Sequence, residues 1–308
     1  MLSDLRYFLG IDTSNYTTSV ALVDESENVI SEKSLLLQVK KGMKGLRQQE
    51  ALFQHVEHLP KLLNQVLRDI NPSEIRGIGV SDKPRNTEGS YMPCFRAGSS
   101  MGKALAEALK IPYCEFSHQE GHIAAVVPGN MQEYLCYHIS GGTCELLYIN
   151  DKSSEVIGGS LDISFGQLID RVGVALGYSF PCGKIMDKKA LDEENIDEIK
   201  PVKMKDSYFN LSGTETKLMN ILKDYTEEEI SGAVFHAVSK CIYASATAGL
   251  AKIGKKMPVA LVGGVACSRY IREYLKDRDL DFVFGEYSSD NAVGIALLGK
   301  RSISNNSM

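Results

Sequence analysis

Two segments of this chain are built alike, and that likeness limits the folds open to it. Phe8-Leu-Gly-Ile-Asp-Thr-Ser-Asn-Tyr-Thr-Thr-Ser-Val-Ala-Leu-Val-Asp24 reads as a strand, a small polar turn and a second strand ending in an acidic turn. Cys136-Tyr-His-Ile-Ser-Gly-Gly-Thr-Cys-Glu-Leu-Leu-Tyr-Ile-Asn-Asp151 has the same plan. A repeat of about 130 residues is too long for a solenoid. It predicts two duplicated α/β domains, 1–130 and 131–308, facing each other across a nucleotide cleft. The boundary is expected near Pro128-Gly-Asn130, with the His118–His122 pair close to the end of the first domain.

Helix signals fill the spaces between strands. Residues 49–69 carry Leu52, Val56, Leu59, Leu63 and Val66 on one stripe, and Pro60 is expected to kink or divide that helix. Residues 98–109 predict a helix rich in small residues. Thr226-Glu-Glu-Glu229 is a capping box opening a long helix to about Lys256. Val259 to Gly264 is a buried strand entering a Gly-Gly turn, followed by a helix through Leu275. Phe282 opens a further strand, and a short apolar helix follows Asn291. The tail from Arg301 to Met308 is expected to fray.

Composition excludes several classes. No run approaches the ~20 apolar residues of a membrane span. The first ten residues are too short and too charged for a signal peptide, so the expected location is the cytoplasm. The seven cysteines contain no Cys-x-x-Cys pair and are expected to be reduced and structural. A net charge of -5 does not attract nucleic acid over the whole surface. An RNA partner would need a helper subunit or a local basic patch. Candidates are Lys40, Lys41, Lys44 and Arg47; Lys184, Lys188 and Lys189; and Lys252, Lys255 and Lys256.

The most direct chemical signal is His118-Gln119-Glu120-Gly121-His122. On a helix, imidazoles at i and i+4 share a face and can chelate one metal. A zinc protease places its catalytic Glu directly after the first His. Here the carboxylate comes one residue later, and at ~100° per residue it swings away from the metal. Asp290, in a Ser-Ser-Asp-Asn turn, is a candidate third ligand. His138, on the same side of its strand as Ser140, is a candidate fourth. His with carboxylate and an open position suits Zn²⁺ or Fe²⁺ as a Lewis acid. His55 and His58, beside Pro60, read as structural.

Gly10, Ser14, Gly141, Gly142, Gly263 and Gly264 all fall at expected strand ends, where glycine lets backbone amides approach an anion. No Walker A sequence occurs. Asp170 could accept hydrogen bonds from a ribose or purine, and Gly183 could pass flat against it. No catalytic triad or nucleophilic cysteine motif is visible.

Taken in order, these pieces resemble the TsaD/Gcp (YgjD) family, the tRNA threonylcarbamoyladenosine synthase component once described as an O-sialoglycoprotein endopeptidase. The resemblance runs from Gly10 to about Gly299. It is carried by Gly10-Ile-Asp-Thr-Ser14, His118-x-x-x-His122, Ser140-Gly-Gly-Thr-Cys144, Gly166 to Asp170 with Leu176-Gly and Phe180-Pro-Cys-Gly183, Leu211-Ser-Gly to Lys217, Gly263-Gly-Val-Ala-Cys-Ser-Arg269 and Ser289-Asp-Asn-Ala292.

The resemblance implies an actin-like ATPase (ASKHA) fold. It also implies transfer of a threonylcarbamoyl group from threonylcarbamoyl-AMP to adenosine in tRNA, without a protein nucleophile. It gives His118, His122 and Asp290 as metal ligands, with His138 where some members use Tyr. The two Gly-Gly turns, Asp170 and Gly183 become nucleotide contacts, together with Ser14, Ser140, Thr143 and Ser268. The implied cofactors are one Fe²⁺ or Zn²⁺ per chain and ATP, AMP or an acyl-adenylate, with Mg²⁺ a further candidate. The implied partners are tRNA and the proteins of a tRNA-modification complex, with a homodimer as an option.

Several segments depart from the family. Asn15-Tyr16-Thr17 replaces acidic residues, Lys40 to Arg47 replaces a Tyr-Gly-Gly block, Asp82 to Pro93 replaces a Gly-Pro-Gly loop, and Ser268 replaces Asn. These point to a divergent paralogue. Two alternatives follow: a carbamoyl- or acyltransferase on another acceptor, and a non-catalytic nucleotide-binding scaffold.

Overall fold

The computed structural model describes residues 6–14, 16–39, 46–150, 153–192, 202–287 and 291–305. They pack as two units, Met1–Ala125 with Asp290–Met308, and Val126–Ser289. The expected single boundary near 130 is thus corrected in one respect. The chain leaves the first unit at Ala125 and returns to it at its C-terminal end.

The first unit contains β1 (Tyr7–Ser14), β2 (Thr17–Asp24), β3 (Val29–Leu36), α1 (Gln48–Val66), β4 (Ile75–Lys83), α2 (Phe95–Leu109), β5 (Tyr113–Ser117) and α3 (His118–Ala124). Its sheet order is β3-β2-β1-β4-β5. β1 pairs antiparallel with β2 and parallel with β4, and β4 pairs parallel with β5. The core gathers Leu9, Ile11, Val20, Leu22, Leu59, Leu62, Ile78 and Val80.

The second unit contains β6 (Tyr134–Ile139), β7 (Cys144–Asn150), β8 (Ser153–Ser160), α4 (Phe165–Ala175), α5 (Gly183–Leu191), β9 (Met204–Lys205), β10 (Tyr208–Phe209), α6 (Ser212–Ile221), α7 (Glu227–Ile253), β11 (Val259–Val262), α8 (Arg269–Lys276) and β12 (Phe282–Phe284). Its sheet order is β12-β11-β6-β7-β8-β10-β9. Around β6 the plan of the first sheet recurs: two antiparallel neighbours on one side, two parallel strands on the other. The duplication expected from the paired hairpins is therefore a duplication of topology. Phe165 stacks between Tyr137 and Phe209 in this unit's own core, at centroid distances of 6.3 and 5.4 Å.

Local chemistry explains several boundaries. The Thr226–Glu229 capping box starts α7, and Gly254 ends it in a left-handed conformation. Pro60 does not divide α1, which is one helix from Gln48 to Val66. The buried face of α1 includes Ala51, His55, Leu59, Leu62, Leu63 and Val66, whereas Val56 is 47% exposed. The expected stripe was one residue out at that turn, because a histidine takes the inward position.

The last helix, α9 (Asn291–Asn305), packs on β1, β4 and α3 of the first unit. The expected fraying from Arg301 is not what the described residues show. Arg301 Nη2 and Nε donate to Glu27 at 2.7 and 3.0 Å, and Lys300 joins at 3.2 Å. The helix therefore has an ionic anchor to the β2–β3 turn. Among the described residues no helix is long and apolar enough to cross a membrane.

Candidate functional site

In the first unit, the carboxyl ends of β1, β4 and β5 bring polar side chains together. Parallel strand ends are where open α/β sheets place their ligands. Asp12 is near the end of β1, Ser81 near the end of β4, and His118 directly after β5.

His118 opens α3. Ser117 caps the helix, its hydroxyl accepting from Glu120 N, while the Glu120 carboxylate accepts from Ser117 N at 2.8 Å and from Ser117 Oγ at 2.6 Å. Glu120 is thus the second half of a capping box. One turn on, His122 is 6% exposed, and its Nε2 stands 3.1 Å from His118 Nε2. Two imidazoles bound to one zinc at ~2.0–2.1 Å in tetrahedral array have nitrogens about 3.3 Å apart. The pair therefore has nearly the bite of a chelate.

Asp12 is 1% exposed in a strand otherwise made for the core. Its Oδ1 accepts from Ser81 Oγ and from Asn291 Nδ2 at 3.1 Å, and stands 3.1 Å from His118 Nδ1. Oδ2 accepts from Ser14 N at 3.3 Å. Burial opposes the charge on Asp12. The adjacent His118 and the hydrogen bonds of His118, Ser81 and Ser14 outweigh it and hold the carboxyl well below the usual range.

Asn291 reaches this cluster because α9 lies very close to α3. A Cβ on Gly294 would fall 1.8 Å from Gly121 O, so only glycine permits the approach. Asp290, the expected third ligand, lies outside the described residues. Among the described residues no group of three or more His, Cys, Asp or Glu is arranged to hold a metal ion. The described part of the candidate centre is thus the His118–His122 pair with Asp12 behind it.

Asp12, Ser81 and Asn291 were not anticipated as site residues. The available signal was an acid inside the apolar run Phe8-Leu-Gly-Ile-Asp12, which a buried strand tolerates only with partners.

In the second unit the expected nucleotide residues also collect at parallel strand ends. Ser140, Gly141, Gly142 and Thr143 form the β6–β7 turn. Ser140 N donates to Thr143 O at 2.9 Å, and Ser140 Oγ accepts from Thr143 N at 3.1 Å. Added side chains on Gly141 or Gly142 would meet nothing within 4 Å, so these backbones face open space. Ser164, the cap of α4, donates to Gly141 O at 2.8 Å and ties the turn to that helix.

β11 runs parallel to β6, with Val262 opposite His138. Gly263 follows at φ +96°, and a Cβ there would fall 2.4 Å from Ile139 O. Gly264 opens the short turn to Cys267. His138, buried on β6, lies beside Gly263. The two Gly-Gly turns therefore neighbour one another on a single sheet edge.

Asp170 and Gly183 lie on α4 and α5, the helices after β8. Asp170 Oδ1 accepts from Cys182 N at 2.7 Å, which joins α4 to the start of α5. Burial raises its pKa, and that hydrogen bond acts against the rise. Ser268 caps α8 and donates to Asp187 Oδ1 at 2.5 Å. Its hydroxyl thus has a structural partner in α5.

The cysteines provide no nucleophile among the buried thiols. Burial pushes Cys94 and Cys182 up to about 11, and Cys144 and Cys241 up to about 12. Each stays a thiol at neutral pH.

The solved structures similar to this chain share its fold. HypF of T. kodakarensis aligns with TM-score 0.62 and 14% identity over 98% of this chain and 48% of that one. The (R)-2-hydroxyglutaryl-CoA dehydratase component A of Acidaminococcus fermentans aligns with TM-score 0.59 and 13% identity over 97% and 99%. The fold is that of the actin-like ATPases.

Sequence relatives are nearer. A tRNA N6-adenosine threonylcarbamoyltransferase of Neorickettsia sennetsu is 30% identical, with 94% of this chain and 91% of that protein covered. The protein of the same description from Thermotoga neapolitana is 29% identical over 94% and 92%. A family profile matches residues 28–297, all of the second unit and the first unit from the end of β2 as far as residue 297. The chain belongs to the TsaD family, the tRNA N6-adenosine threonylcarbamoyltransferases.

Proposed function

We propose that this protein transfers a threonylcarbamoyl group from threonylcarbamoyl-AMP to adenosine in tRNA, with a transition-metal ion held by His118 and His122. Family membership supports the reaction class. The observation that carries the metal reading is the 3.1 Å approach of the two Nε2 atoms. The donor set is chemically suited to Zn²⁺ or Fe²⁺, with Asp290 as a further candidate ligand. A bound cation would supply Lewis-acid polarisation of the acyl donor.

The chain's own residues have simpler tasks. Gly141 in the β6–β7 turn and the Gly263–Gly264 turn would offer backbone amides to the phosphate of an adenylate. Asp170, which already accepts from Cys182 N, would accept further hydrogen bonds from a ribose or purine. Acyl transfer to the adenine amino group, with AMP leaving, needs no protein nucleophile, in keeping with the thiols held protonated by burial. The cytoplasm, where tRNA is modified, is the proposed location.

The test is direct. Purified protein, with the partner proteins of its own organism, is supplied with threonylcarbamoyl-AMP and tRNA, and the digested nucleosides are read by mass spectrometry. Threonylcarbamoyladenosine, lost in His118→Ala, is the expected result. A metal-loaded wild-type protein that forms none overturns the reading. Transfer to another acceptor, or none at all, would then favour the acyltransferase or scaffold alternative respectively.

A further inference from the structure

Asp12 meets His118 at the ring nitrogen turned away from His122. His118 Nδ1 faces Asp12 Oδ1 at 3.1 Å, while His118 Nε2 faces His122 Nε2 at the same distance. The imidazole is therefore gripped at one nitrogen and presented at the other.

A buried carboxylate that accepts from Ser81, Ser14 and Asn291 has only lone pairs to offer a further neighbour. The alternative arrangement has Asn291 Nδ2, 2.6 Å away, donating to Nδ1. That would leave the Nδ1 lone pair against the Asp12 oxygen in a low-dielectric interior, a repulsive contact. A proton on Nδ1 removes that repulsion and adds a charge-assisted hydrogen bond, with the Asn291 amide, 2.6 Å from Nδ1, directing its own N–H to the same Asp12 oxygen.

We propose that Asp12, itself held by Ser81 and Asn291, is a positioning residue that fixes His118 in the Nδ1–H tautomer, so that its Nε2 lone pair and that of His122 take one divalent transition-metal ion. A carboxylate behind a ligating imidazole orients the ring and raises its basicity, and loss of such a partner commonly weakens metal binding ~10–100-fold. The proposal rests on the metal reading above. It adds that metal affinity is set from β1, by a residue that never touches the ion.

The test uses the full chain with ¹⁵N-labelled histidine. Long-range ¹H–¹⁵N spectra of the metal-free protein identify the His118 tautomer, and competition with a chromophoric chelator gives the Zn²⁺ affinity. Wild type is expected to show Nδ1–H. Asp12→Asn, nearly isosteric, is expected to lose that tautomer and bind Zn²⁺ about 10–100-fold more weakly. Ser81→Ala keeps the carboxylate, so it should keep the tautomer and lose less than about tenfold. It also guards against an Asp12→Asn chain that fails to fold.

An Nε2–H tautomer in wild type overturns the proposal. So does a folded Asp12→Asn protein with wild-type tautomer and affinity. A wild-type chain with Nδ1–H that takes up no Zn²⁺ overturns the metal reading and the cation half of the proposal, while upholding the tautomer half.

Discussion

Thr18 Oγ1 stands 2.8 Å from His55 Nδ1 inside the first unit, joining β2 to α1. Both residues are fully buried, and His58 Nδ1 approaches the same hydroxyl at 3.2 Å. Burial pushes His55 down to about 4 from 6.5. Asp12 pulls its pKa upward, and His58 adds to the fall. The unfolded chain therefore binds a proton at this site before the folded chain does. Its contribution to stability is complete above about pH 6.5 and is lost as the pH falls towards 4. Denaturant unfolding between pH 7.5 and 4.5 should show this decline. In His55→Gln the curve should start lower and slope less, and an equal slope in both proteins would contradict the assignment.

Gly294 and Gly121 form the tightest approach around the candidate centre. Gly294→Ala would place a methyl 1.8 Å from Gly121 O, so α9 must shift. The expected cost is about 1–3 kcal/mol of stability. Asn291, three residues earlier, should move with the helix. Thermal unfolding and Zn²⁺ titration of the same variant check both effects, and a stable variant with unchanged Zn²⁺ affinity would refute the link.

Glu120 separates a cap from a catalyst. Glu120→Ala removes half of a capping box on a short helix and should destabilise the protein by roughly 0.5–2 kcal/mol. Threonylcarbamoyladenosine formation at a temperature where the variant is folded should stay close to wild type. A fall of several hundredfold without unfolding would restore a catalytic role.

Asp187 on α5 accepts from Ser268 Oγ, Arg269 N and Tyr270 N at 2.5, 2.9 and 3.1 Å, tying the start of α8 in place. Asp187→Ala strands these donors and should cost about 1.5–3 kcal/mol. Since α8 follows the Gly263–Gly264 turn, AMP binding should weaken as well. Calorimetry with AMP on the folded variant tests this, and unchanged affinity would remove that turn from the nucleotide site.

What the sequence disclosed depended on the range of the contact. The paired hairpins were readable because alternating chemistry and turn residues act over a few positions. The α7 capping box and the His118–His122 spacing were local in the same way. The Asp12 cluster was not readable, since it joins β1 to residues 69, 106 and 279 positions away. His55 displaced Val56 from the buried stripe because Thr18, on another strand, satisfies its ring. The return of α9 to the first unit left no local mark beyond the glycines that allow it.

That return also sets an order of assembly during synthesis. Every residue of the second unit leaves the ribosome before α9 does, so the second unit can close while β1, β4 and β5 still lack the helix that packs on them. Chains grow from the N-terminus at ~5–20 residues per second. The first unit, though begun first, is therefore completed after the second, and Asn291 reaches Asp12 only once α9 has emerged. An interrupted chain ending before Asn291 would carry both histidines but not this arrangement around them, leaving the uncovered sheet face for a chaperone to recognise.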